Sequence, residues 1–277
     1  MVTKTPGLAF ALCLTAWSCA SAPLGPVDVE DVSIQLRVSG GFVGQDFTFV
    51  VDGGELEVRG IACVSFCEFE AGEVITPISS QLVEILASRL EEMGIFGLGG
   101  DYGSQCCDQI DYELTYSRGL RTVQVRGSGE LIPEGLIDVI ADLVSLSRAR
   151  VPAIVALVTN PSDWPADAYA IDDVTVDGLD LVVDVEYGGG CSPHAMDLVI
   201  WGDWTSSDPP QVNAFISHDA RGDMCDALIS ETRIFDLVPL VRAARARSGI
   251  NGNASVVLRL WDPVTQNQSA RLVRIDY

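Results

Sequence analysis

Lysine is all but missing from this chain: Lys4 is the only one, and every other cationic side chain is arginine. Without a lysine downstream, a Walker A phosphate loop, a Schiff-base mechanism and a Ser-Lys dyad are excluded. Histidine is nearly as scarce, with two in the chain, so any histidine-dependent chemistry must use His194 or His218. No segment reaches the roughly 18 uncharged apolar residues that a transmembrane helix needs. Gly-x-Ser-x-Gly and His-Glu-x-x-His are absent, and the glycine runs lack the strand-to-helix setting of a nucleotide site. The formal net charge of -22 opposes a phosphate backbone, so nucleic acid is not an expected partner.

What is present begins with an export signal over residues 1–22. Lys4 supplies a positive start, residues 8–16 a short apolar run, and Trp17-Ser18-Cys19-Ala20-Ser21-Ala22 a set of small residues around a cysteine. Ala16-Trp17-Ser18-Cys19 resembles the bacterial lipobox, which would lipidate Cys19. The alternative is ordinary secretory cleavage near Ala20-Ser21-Ala22, which Pro23 opposes. The expected location is therefore the cell envelope or the exterior, with membrane contact through a lipid anchor alone.

Residues 23–31, rich in proline and acids, read as a tether. Strand-like segments follow at 32–38, 47–51 and 55–61. Thr76-Pro77 is a helix start, and Ile78, Leu82, Ile85, Leu86, Leu90 and Met93 recur at helical spacing until Gly94. Residues 110–116 and 120–125 alternate around Ser117-Arg118-Gly119 as a hairpin. Pro133 then opens a second helix with Leu136, Ile137, Ile140, Leu143 and Val144 on one face. The order βββαββα describes an α+β domain over 32–150, a sheet with two helices on one side. Residues 151–170 contain Pro152, Pro161 and Pro165 and read as a linker. Beyond it, short strand-like segments at 174–176, 179–187, 196–201, 212–217, 228–237, 255–261 and 271–277 suggest an all-β sandwich over 171–277. Residues 239–248 read as one helical turn or a loop.

The cysteines after Cys19 divide into four in the first domain and two in the second, which suits disulfides in an oxidising compartment. Cys63 and Cys67 lie in one loop and Cys106 and Cys107 in another, so two staples between those loops are expected, with a four-thiolate zinc site as the alternative. In the second domain Gly188-Gly189-Gly190-Cys191-Ser192-Pro193-His194 ends one strand, and His218 through Cys225 and Asp226 follow another. Two readings stand: a Cys191–Cys225 disulfide with both histidines hydrogen-bonded nearby, or a zinc site built from Cys191, His194, His218 and Cys225. Asp219, Asp223 and Asp226 do not have EF-hand spacing. The expectation is no cofactor, zinc being the exception.

Residues 32–146 resemble the emfourin family of small metalloprotease inhibitors and related envelope domains. The resemblance rests on Ser39-Gly40-Gly41-Phe42-Val43-Gly44, on the helix ending before Phe96, and on Asp111-Tyr112-Glu113-Leu114-Thr115 leading to Gly119-Leu120-Arg121-Thr122-Val123. It implies a thermolysin-like metalloprotease as partner and Ser39, Gly40, Gly41, Phe42 and Gly44 as the binding loop. The chain departs from that family in its cysteine-bearing loops and its tether. The second half is similar to a module of uncharacterised bacterial envelope lipoproteins marked by Gly-Gly-Cys-x-x-His, His-Asp, Gly-Asp-x-Cys-Asp and Phe-Asp-Leu-x-Pro-Leu, here within residues 189–194, 218–226 and 235–240. The resulting expectation is a non-enzymatic envelope binding module. The alternatives are a structural or zinc-binding module acting through the C-terminal Cys/His loops, and a hydrolase using a carboxylate pair.

Overall fold

The computed structural model describes residues 28–41, 45–52, 57–61, 73–103, 109–133, 135–249, 252–261 and 270–277. Cys19, Phe42, Gly44, Cys63, Cys67, Cys106 and Cys107 lie outside the described residues. Among the described residues the protein is mostly β, with three sheets and three α-helices.

The first sheet contains β1 (Val32–Gly40), β2 (Gln45–Asp52), β3 (Glu57–Ile61), β4 (Glu73–Pro77), β5 (Gly100–Asp101), β6 (Ile110–Arg118) and β7 (Arg121–Ser128) in the order β4-β3-β2-β1-β6-β7-β5. Along β1, Val32, Ile34, Leu36 and Val38 are buried, whereas Gln35 and Arg37 between them are exposed. That period of two puts one face on the core and leaves the other open to solvent. The hairpin expected around residue 118 closes through Gly119 and Leu120, Arg118 pairing with Arg121; Gly119 takes the positive φ of 58° that the turn requires.

Two helices cover the core face. α1 (Ser80–Glu92) buries Leu82, Val83, Leu86, Ala87 and Leu90. It starts later than Thr76-Pro77 suggests, because a residue before proline is pushed towards extended backbone. Thr76 and Pro77 accordingly finish β4, and Ser79 caps the helix by accepting the Leu82 N–H at 3.0 Å. α2 (Leu136–Leu146) likewise begins after Pro133, at Gly135 with φ 90°. Its buried stripe is Leu136, Val139, Ile140, Leu143 and Leu146, and Ile137 points outward at 51% exposure. The observed order, ββββαβββα, thus adds β4 and β5 to the expected one. β5 is two residues long, too short for an alternation signal.

The second half holds a four-stranded sheet, β10-β11-β14-β8, and a five-stranded sheet, β16-β15-β13-β12-β9. Its strands are β8 (Arg150–Pro152), β9 (Ile154–Val155), β10 (Ala170–Asp177), β11 (Asp180–Gly189), β12 (Ala195–Trp201), β13 (Gln211–Asp219), β14 (Ala227–Asp236), β15 (Ser255–Trp261) and β16 (Arg271–Asp276). Each of the seven segments read as strands beyond residue 171 is one of β10 to β16. Within the segment read as a linker, β8 runs parallel to β14 and β9 parallel to β12, one strand to each sheet. Residues 239–248 belong to a full helix, α3 (Val238–Ser248), ended by Gly249 at φ 65° with Arg245 and Arg247 in its last turn, where cations oppose the helix dipole.

The two halves meet through polar groups as well as apolar ones. Arg221 Nη2 donates to the Ile78 carbonyl at 2.7 Å, and Ser145 Oγ to Asp236 Oδ2 at 2.5 Å. Within the first half, Arg89 Nη1 of α1 pairs with Asp142 Oδ2 of α2 at 2.5 Å. Burial pushes the Asp142 carboxyl up to about 6, against the opposing pull of Arg89 and Arg242. Among the described residues no helix is long and apolar enough to cross a membrane.

Candidate functional site

The chain passes twice between the two C-terminal sheets at one end of the module. Residues 190–194 carry it from β11 to β12, and residues 220–226 carry it back from β13 to β14. Since β11 pairs with β14 and β12 with β13, both crossings lie side by side. Cys191 and Cys225, one in each crossing, form a disulfide with Cα atoms 5.9 Å apart.

Asp223 organises the same place. Its Oδ2 accepts the backbone N–H groups of Gly190, Cys191 and Ser192 at 2.9, 2.9 and 3.0 Å, and its Oδ1 accepts the Cys225 N–H at 2.9 Å. This is an anion nest made of the chain's own backbone and filled by its own carboxylate. The N–H donors, that of Cys225 foremost, together with His194 hold the Asp223 carboxyl far below the usual carboxylate range.

Both histidines are buried at 1% exposure. His194 Nδ1 and His218 Nε2 face each other at 2.8 Å, His194 Nε2 lies 3.3 Å from Asp223 Oδ2, and His218 Nδ1 lies 3.1 Å from the Asp167 carbonyl. The His194 ring stacks on Tyr187 with centroids 4.5 Å apart, and Tyr169 meets His218 edge-on at 5.7 Å. Tyr187 and Tyr169 direct their hydroxyls away, to Glu231 and to the Ile216 carbonyl. Arg233 donates to the His194 carbonyl at 3.1 Å and to Glu231. Burial lowers the pKa of His218, the Asp167 carbonyl partly opposing. Gly189 makes the packing feasible: a Cβ there would lie 2.7 Å from two atoms of the His194 ring.

Of the four residues read as zinc ligands, the two cysteines have spent their sulfurs on each other. The two imidazoles present nitrogens to one another at 2.8 Å, closer than the roughly 3.3 Å between two nitrogens bound about 2.05 Å from a tetrahedral zinc. Cys191, Cys225 and Asp223 bring their ligand atoms within 4.8 Å of one another, but as a bonded pair and a filled nest. Next to this cluster, a cavity of about 240 Å³ opens between β4 and β14, with Tyr187, Glu231 and Arg233 at its polar end and Ile75, Pro77 and Val151 among its apolar walls.

The N-terminal loop is a separate place. Gly40 (φ 92°) and Gly41 (φ 76°) are demanded by the backbone: a Cβ on Gly40 would stand 2.5 Å from the Gln109 carbonyl oxygen, and that oxygen accepts the Gly41 N–H at 2.8 Å. Ser39 borders a cavity of about 450 Å³ on the uncovered sheet face, together with Arg37, Asp101, Asp111, Glu113 and Arg126.

Sequence reasoning missed Asp167 and Tyr169, which were assigned to a linker, and Tyr187, which was read as an ordinary strand residue. The alternation along β11 places Tyr187 inside, but nothing local places it against His194. Asp197 was also unmarked. Its side chain lies wholly in the interior with Oδ1 lacking a hydrogen-bond partner among the described residues; burial pushes the carboxyl up to about 6, a hydrogen bond with Ser79 opposing.

No known protein family and no curated protein matches this sequence. Solved structures give weak likenesses. A NigD-like immunity protein from Bacteroides caccae is 11% identical, covering 88% of this chain and 95% of its own, with a TM-score of 0.32. A protein of unknown function, DUF1344, from Bacteroides vulgatus is 10% identical over 89% and 90%, also at 0.32. A candidate lipoprotein from Bacteroides fragilis is 10% identical over 60% and 80%, at 0.29. The emfourin resemblance has no counterpart in these three, and likenesses this distant assign neither a family nor an activity to the chain.

Proposed function

We propose that the protein is a non-enzymatic envelope module, exported and lipid-anchored through Cys19, that binds a protein partner with the uncovered face of its seven-stranded sheet. The observation that carries this reading is the 450 Å³ cavity beside Ser39, where Arg37 and Arg126 stand among Asp101, Asp111 and Glu113. Charges of both signs suit a polypeptide surface, since complementary potentials select and orient the partner. The glycines at 40 and 41 set the backbone that holds Ser39 at the rim. A thermolysin-type metalloprotease is the first partner to test. The second half, a sandwich-like pair of sheets, acts as a rigid stapled support in this reading.

A non-enzymatic role is favoured because the histidine side chains are enclosed and their nitrogens engaged with each other, with Asp223 and with a carbonyl. The carboxyls raised to about 6, Asp142 and Asp197, border neither cavity.

The test is a titration of the oxidised mature chain against a thermolysin-type protease, read with a small peptide substrate. Stoichiometric loss of activity, relieved by Arg37→Glu, is the expected result. Full protease activity at large molar excess of folded protein would remove the protease as partner, and an absence of any partner contact at Arg37 in envelope cross-linking would remove the sheet face.

A further inference from the structure

Four atoms groups in a row make three short polar contacts: the Asp167 carbonyl, the His218 ring, the His194 ring and the Asp223 carboxylate, at 3.1, 2.8 and 3.3 Å. Both ends of the row are acceptors. A hydrogen bond in each gap requires one proton per gap, hence three, and two neutral imidazoles carry two. With two protons, one gap must hold two lone pairs facing each other. With four, both nitrogens of the central gap carry hydrogens that collide at 2.8 Å. We infer that the folded protein binds one additional proton in this row, and that this proton locks the crossing loop of residues 220–226 to the two histidines beside it.

The surroundings favour that count. Asp223 stays ionised, because its oxygens are filled by N–H groups from both crossings. His194 adjoins that carboxylate, and side chains of both are closed off from solvent. His218 is the member that burial keeps neutral, so it can accept at Nε2 while donating from Nδ1 to Asp167. The other ionisable groups facing the pair are accounted for. Arg233 is paired with Glu231 and reaches the His194 carbonyl, not its ring. The Tyr187 hydroxyl donates to Glu231, the Tyr169 hydroxyl to Ile216, and the Asp167 carboxylate accepts the Ala220 N–H.

The consequence is a proton-operated latch, separate from the sheet face proposed for binding. Loss of the third proton leaves one gap of the row with two facing lone pairs, and gain of a fourth sets two N–H groups against each other in the central gap; either breaks the row and loosens the loop. The Asp223 nest is then most closed in an intermediate pH window and opens on either side.

The chain has two histidines, so imidazole spectra of untagged protein report on this row alone. In long-range ¹H–¹⁵N spectra across the pH range of folded protein, the expected result is a window with three protonated ring nitrogens and one lone-pair nitrogen. Amide exchange at Gly190, Cys191, Ser192 and Cys225, corrected for its intrinsic pH dependence, should be slowest in that window. Asp223→Asn should move the loss of the third proton to lower pH by about 1 to 3 units, as expected for removing an adjacent opposite charge. Two protonated nitrogens throughout, or two rings titrating independently near the free-imidazole value of about 6.5, would overturn the inference from wild-type protein alone. An unshifted titration in folded Asp223→Asn would overturn it as well.

Discussion

Replacing both cysteines, as Cys191→Ala with Cys225→Ala, isolates what the staple does. The two residues are 34 apart in sequence, so the disulfide closes a loop of about that size in the unfolded chain. Loop-closure entropy for this length corresponds to about 3.8 kcal/mol at 25 °C. In the folded state little else should change, because Asp223 still gathers the N–H groups of residues 190, 191, 192 and 225, and the crossings keep their relative position without the sulfurs. The variant should therefore fold, and urea denaturation should show stability reduced by about 3 to 4 kcal/mol, a large share of the 5–15 kcal/mol typical of a folded protein. The m-value should rise, since an uncrosslinked unfolded chain exposes more surface. A loss below about 1 kcal/mol with an unchanged m-value would refute this account and assign the closure of the two crossings to Asp223 and the histidines.

Gly189→Ala should cost about 1 to 3 kcal/mol, as overpacking does, because the new methyl meets a His194 ring already pressed between Tyr187 and His218. Gly188→Ala, with nothing within 4 Å of the added carbon, is the neighbouring control and should be near neutral; equal effects in a thermal melt would contradict the packing argument. Asp197 gives a pH signature. Its folded-state pKa of about 6 lies above the ordinary 3.8, so its contribution is complete below the unfolded value and is lost as pH rises through 6, about 3 kcal/mol in all. Wild-type stability measured against Asp197→Asn should decline between about pH 4 and pH 7, and a constant difference would show that the carboxyl is not held protonated.

The elements that sequence reading located are those whose signal is local. β1 alternates because one face must be dry, and α1 repeats Leu82, Leu86 and Leu90 because one stripe meets the sheet. Where two local rules competed, the boundary moved: Pro77 suggested a helix start, but the extended bias on Thr76 and the capping ability of Ser79 shifted it by three residues. β8 and β9 carried no readable signal, being three and two residues long and paired in parallel with strands distant in sequence. Cys191, His194, His218 and Cys225 were legible as a set because each of the chain's two histidines lies close to a cysteine in sequence. Asp167, which ends the hydrogen-bonded row, was invisible because its backbone carbonyl does the accepting and any residue type supplies one.

From its amino acids alone this chain already opposes the chemistries that need a lysine beyond Lys4, and it already carries an α+β half followed by a strand-rich half. Those properties follow from composition and from periods of 2 and 3.6 residues, which each segment expresses without reference to the others. What the two histidines do was decided in the tertiary structure. Thiolates and imidazoles within a few residues of each other are compatible with a metal site or with a disulfide beside a hydrogen-bonded pair. The choice depends on ångström distances set by the pairing of β11 with β14 and of β12 with β13. Those pairings bring the two crossings together, let Gly189 admit the His194 ring, and place a backbone-filled carboxylate at one end of it.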